Sequence, residues 1–204
     1  MKPLPLACLG LALLSTRCGW LAMPSRERVY GAHEAGLTLH YENPQLASEA
    51  RANERIQMRV AATKDTAAGR IVRITYTSLQ GELSVLYLQK DGGISLIQDS
   101  SKPGTMVYPA GFPDRVTHWT VRETKYRVLG RAAMNLPGLK LPDTADTVGV
   151  WVESESPKGQ RQRAFLLPDI GEAETLVWRE GAWVCTSRLV SRGFTDVPTA
   201  NAPL

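Results

Sequence analysis

The residues that could carry chemistry in this chain are three histidines, one cysteine in the body of the sequence and two small groups of carboxylates. His33, His40 and His118 lie far apart, and none has a second histidine or a cysteine at the short spacing a zinc site uses. His118, beside Trp119, is the one a strand could aim into a pocket as a general base. Asp143 and Asp146 form one carboxylate group; Asp169, Glu172 and Glu174 form another. The second could offer three oxygens to a hard cation but lacks the Asp-x-Asp spacing of calcium loops. Cys185, between Val184 and Thr186, reads as a lone strand thiol rather than a nucleophile. Gly-x-Ser-x-Gly, a phosphate-binding loop and a dinucleotide fingerprint are all missing from the sequence. Neither a cofactor nor a metal is expected.

Binding residues stand out more than catalytic ones. Trp151, Trp178 and Trp183 fall in the C-terminal hairpins, and Trp178 and Trp183 flank one tight turn. Large amphipathic rings serve a core or a recognition face equally well. Arg115, Arg122, Arg127 and Arg131, interleaved with Tyr126, could meet an anionic group or a membrane surface. Trp151, Trp178, Trp183, His118 and Arg122 are therefore the candidate binding residues.

The elements that would position them are strands. Ile56, Met58 and Val60 alternate with Arg55, Gln57 and Arg59, the two-residue period of a half-buried strand. Residues 71–77 and 82–88 are β-branched or aromatic runs around Gln80-Gly81, and Asp91-Gly92 precedes residues 94–97. Such turns supply the positive φ that tight hairpins need. Further strands are expected at 37–41, 116–129, 148–152, 163–167, 175–178 and 183–186. Asn43-Pro44 offers a start for one short helix. Residues 99–114 and 136–143 are rich in Pro and Gly and read as long loops. The expectation is a mainly β domain: an antiparallel β-sandwich of about nine strands with one short helix, the loops ferrying the chain between sheets, with a β-barrel as the alternative.

Residues 1–22 differ in kind. Lys2 precedes an apolar run from Leu4 to Leu14, the pattern of a secretory signal peptide and too short to cross a bilayer. Arg17 blocks its extension. Cys18, followed by Gly19 just past the apolar run, resembles the lipobox of bacterial lipoproteins, whose cysteine carries the lipid. The resemblance lies in context only, because Arg17 and Ser15 stand where that pattern has a small and an aliphatic residue. It implies lipidation at Cys18 and an outer-membrane lipoprotein; ordinary cleavage implies a periplasmic or secreted protein.

The expected organisation is a signal peptide over 1–22, a linker over 23–36, one β-rich domain over 37–192 and a flexible tail over 193–204. The chain of 204 residues is long enough for a substantial core. Its 24 basic and 20 acidic residues give +4, and loss of Lys2 and Arg17 with the leader leaves +2. So little net charge argues against nucleic acid as a partner. The functional expectation is an exported bacterial-type envelope protein, a non-enzymatic binding module for a protein or envelope component, touching the membrane only through an N-terminal lipid anchor. The alternatives are a hydrolase of an envelope polymer, using His118 or a carboxylate, and a barrel-type carrier of a small ligand.

Overall fold

The computed structural model describes residues 29–97, 104–136, 139 and 148–195. The proposed signal peptide, Cys18 and most of the proposed tail lie outside them. The first half is a meander of β1 (Leu37–Glu42), β2 (Ile56–Thr66), β3 (Gly69–Ser78), β4 (Gly81–Lys90), β5 (Gly93–Ile97) and β6 (Thr105–Tyr108). Between β1 and β2 stands α1 (Ser48–Asn53). The second half is another meander: β7 (His118–Val121), β8 (Thr124–Ala133), β9 (Val148–Glu155), β10 (Arg161–Leu167), β11 (Gly171–Arg179) and β12 (Ala182–Phe194).

The two meanders join where β1 pairs antiparallel with β12, giving one sheet in the order β6-β5-β4-β3-β2-β1-β12-β11-β10-β9-β8-β7. Every described pairing is antiparallel, as the sequence pattern indicates. The sheet curls until its two ends approach, so the mainly β, antiparallel domain is a nearly closed barrel, the alternative to the sandwich. The reason lies in the Pro/Gly segments. The one between β8 and β9 joins strands that are themselves paired, so it carries nothing between sheets.

Twelve strands replace the expected nine, for identifiable reasons. The four-residue β6 sits inside the stretch read as loop. Residues 116–129 hold two strands, because Arg122 and Glu123 take φ of 46° and 70° and turn the chain without a glycine or asparagine to announce it. The Asn43 carboxamide accepts from the Gln45 amide at 3.0 Å, a local turn, and the helix begins only at Ser48.

The seam between β6 and β7 is closed by side chains. The Trp119 indole donates to the Val107 carbonyl at 3.2 Å, and Arg122 donates to the Thr105 hydroxyl at 3.2 Å. Trp119 stacks on Tyr126 with ring centres 5.1 Å apart and meets Phe112 edge-on at 5.4 Å; Phe112 in turn stacks on Tyr108 at 5.0 Å. Aromatic rings thus cover two short edges that would otherwise invite foreign strands.

Residues expected as linker are, from Val29 on, part of the body. Tyr30 and Ala32 are 2 % and 3 % exposed. The Val29 carbonyl accepts from the Asp169 amide just before β11, and the Ala32 carbonyl accepts from the Gln89 carboxamide on β4. Those strands stand five places apart in the sheet, so the segment bridges the barrel. At the other terminus β12 runs to Phe194, and Gly193 and Phe194 pair with β1.

Candidate functional site

Inward positions around the barrel are mostly apolar or aromatic, and they border a half-open cavity of about 270 Å³. Alternation along each strand sets its lining. Met58 on β2 lies opposite Tyr76 on β3, and Tyr76 shares its face with Ile74. Tyr87 on β4 lies opposite Val72. Tyr41 from β1, Tyr108 from β6, and Thr175 and Ser187 from β11 and β12 complete the circuit, with Tyr30 and Ala32 of the bridging segment. Cavities of this kind, mostly apolar with a few placed polar groups, are the usual form of small-molecule sites.

The polar groups are the side chains of five tyrosines, Gln89, Thr175, Ser187 and two glutamates. Glu174 is spoken for: its carboxylate, 8 % exposed, pairs with Arg188 at 2.5 Å. Glu172 is not. Its side chain is exposed where it opens onto the cavity, although protein atoms crowd its neighbourhood, and the Thr175 hydroxyl donates to its carboxylate at 3.3 Å. Among the described residues no lysine or arginine lines the cavity. Loss of solvation pushes the Glu172 carboxyl above its ordinary range, against a smaller opposing effect of Thr175. Tyr41 donates to the Glu172 main-chain carbonyl at 2.9 Å. Burial, and then the Glu172 charge, push the Tyr41 and Tyr108 hydroxyls up; Tyr76 and Tyr87 are raised mainly by burial. The cavity therefore holds neutral phenols around one uncompensated acid.

The residues singled out from sequence lie elsewhere. Trp178 and Trp183 meet edge-on with ring centres 5.2 Å apart, on the face opposite to Thr175 and hence outside the barrel. Arg163 lies 4.1 Å over the Trp183 ring, and Arg161 lies within 5.5 Å of both rings. The same guanidinium groups reach Glu153 at 2.9 and 3.2 Å, and Arg127 reaches it at 2.7 Å. Burial works to raise the Glu153 carboxyl, but hydrogen bonds from Arg163, Arg127 and Arg161 outweigh it and hold the group low. Trp151 is half-buried against Phe165, 5.1 Å between ring centres. His118 is exposed on an edge strand with its ring bonded to the Thr117 hydroxyl, and Arg122 is exposed in the β7–β8 turn. The structure thus joins Trp178 with Trp183 and brings none of the five into the cavity.

Nor do the catalytic candidates converge. Among the described residues no hydrogen bond or ion pair links His118 to Asp169 or Glu172, and Asp169 faces His33 at 3.7 Å instead. Burial first, then Glu174, push the Cys185 thiol up to about 11. No group of three or more potential metal ligands gathers among the described residues. Sequence reading missed the tyrosines, because Tyr41, Tyr76, Tyr87 and Tyr108 come from four strands and share no motif. The inward phase of each strand was their only signal.

No family model matches the chain, and no curated protein matches it. Two solved structures resemble it in fold. A predicted exported protein of Bacteroides fragilis with a YmcC-like fold superposes with a TM-score of 0.50 at 12% identity, covering 81% of this chain and 99% of that one. A predicted lipoprotein of Parabacteroides distasonis gives 0.46 at 11% identity with the same coverage. At 12% identity the likeness to the Bacteroides fragilis structure speaks for the fold alone.

Proposed function

We propose that the protein is an exported envelope protein that binds a small, largely apolar ligand inside its barrel. The observation carrying this reading is the cavity of about 270 Å³, walled by tyrosine and aliphatic side chains of the first half and by Ile170, Thr175, Ser187 and two glutamates of the second. A fold serving only as a spacer could fill that volume with side chains, since packed cores leave few voids larger than a water. Export is supported by the apolar leader with Lys2 before it and by the description of the Bacteroides fragilis structure as an exported protein. Outward positions of the first meander are mixed: Gln57, Arg59, Arg73, Thr75 and Ser84 are polar, with the Thr75 and Ser84 hydroxyls 2.9 Å apart, while Ile71, Leu86 and Leu88 on the same face are apolar.

A protein-docking role has one observation in its favour, the pair Trp178 and Trp183 on the outer face, with Trp178 39 % exposed. A hydrolytic role has less, because His118 and the interior acid are not joined.

Native mass spectrometry of the protein isolated gently from its producing cells tests the carrier reading. A small-molecule adduct that leaves on denaturation is the expected result. A bare chain that also takes up no apolar probe added in excess would count against it.

A further inference from the structure

Resting on the carrier reading, we propose that the ligand is an organic cation: an apolar molecule whose amine or quaternary ammonium group sits among Tyr41, Tyr76, Tyr87 and Tyr108 and against the Glu172 carboxylate. Three observations carry this together. The rings come from four strands and border a single cavity with Glu172, so the four phenols and the acid share one occupant's space. The Glu172 carboxylate has a neutral hydroxyl, that of Thr175, as its donor, and no cationic side chain of the described residues lines the cavity. Glu174, the other acid at the wall, is already neutralised by Arg188 and makes no such demand.

Glu172 opens onto the cavity without a basic neighbour in the described lining, and a ligand cation would supply a counter-charge there, held more strongly as the occupant displaces water. Aromatic faces attract the same charge through their quadrupoles, and the attraction grows when water is excluded. An anionic ligand would meet repulsion from Glu172, with no basic group among the described lining to offset it. A neutral apolar ligand would leave the acid unpaired in a drier site than before.

Benzyltrimethylammonium and its neutral carbon analogue, neopentylbenzene, separate charge from shape, because they are nearly identical in size. Each is titrated into the full protein and into Glu172→Gln, with chemical shifts of the tyrosine rings as the readout. Thermal unfolding of the variant confirms that it is folded. The expected result is at least tenfold tighter binding of the cation by the native protein, and loss of that preference in Glu172→Gln with the neutral compound still bound. Equal affinity for the two compounds, or an unchanged preference in the variant, overturns the cation proposal while leaving the cavity reading intact. Failure of both compounds to bind at millimolar concentration overturns the two together.

Discussion

The indole nitrogen of Trp119 and the carbonyl of Val107 lie 3.2 Å apart across the seam, on strands β7 and β6 that have no ladder between them in the described sheet. Together with Arg122, which donates to Thr105, this side chain takes the place of backbone pairing at the junction the described sheet leaves open. Trp119 is 8 % exposed and packs with Tyr108, Phe112 and Tyr126, so it joins the two halves through area as well as through its hydrogen bond.

Two substitutions separate those contributions. Trp119→Ala should destabilise the protein by about 3–5 kcal/mol, the range for deleting a large buried ring. Trp119→Phe keeps most of the packing and loses the donor, so about 1 kcal/mol is expected. Urea unfolding of both variants checks this; similar losses would mean the hydrogen bond, not the ring, holds the seam.

Glu172 should make stability depend on pH in an unusual direction for a carboxylate. Its folded pKa is raised, so the ionised form is disfavoured by folding, and the cost is present once pH lies above the folded value. Below the unfolded value, near 4.5, both states are neutral and the cost disappears. Tyr41, Tyr76, Tyr87, Tyr108 and Tyr126 are all shifted upward and stay neutral through this window. Glu172→Gln should therefore raise the melting temperature at pH 7 and change it little at pH 4. A variant less stable at pH 7 than the native protein would show that the charge is stabilising.

Glu153 behaves in the opposite sense. Its pKa is depressed, so its contribution is present above the unfolded value and fades as pH falls through the folded one. Arg127, Arg161 and Arg163 are 53%, 35% and 30% exposed, and water screens them, which keeps the contribution moderate. Glu153→Gln should cost about 2 kcal/mol at pH 7, below the range for breaking a fully buried pair. The difference should shrink below pH 4. Melting curves across that range report it, and a pH-independent difference would assign the loss to shape instead of charge.

Cys185 should be a sluggish thiol. With its pKa pushed up to about 11, roughly one molecule in a thousand is thiolate at pH 8, against about a quarter for an ordinary cysteine. Timed alkylation with iodoacetamide, followed by peptide mapping, should find Cys185 modified at least a hundredfold more slowly than after denaturation. Rapid modification in the folded protein would contradict the environment described for it.

Much of the barrel could be read from the residues themselves. The period-two runs and the turns at Asp91-Gly92 and Glu180-Gly181 mark hairpins that the structure contains. What escaped reading was whatever depends on where the sheet closes. Trp119 opposite Val107, Tyr30 within the barrel and Glu172 facing Tyr41 are contacts between distant segments, and their geometry follows from curvature rather than local pattern. The same cause explains the choice of tryptophans as candidate binders. Trp178 and Trp183 flank a turn and catch the eye, whereas the cavity tyrosines sit singly on ordinary strands. The inner or outer face of a strand is legible only as a phase, and a bulge such as that between Thr175 and Leu176 shifts the phase without any mark in composition.

Central to the account is a barrel interior that accepts a ligand, and saturable binding of the apolar fluorophore N-phenyl-1-naphthylamine tests it most directly. The expected result is one molecule per chain, with binding abolished in a folded Met58→Trp variant whose larger ring fills the cavity. Fluorescence that does not saturate at one equivalent, or that survives the filled cavity unchanged, would contradict an interior site.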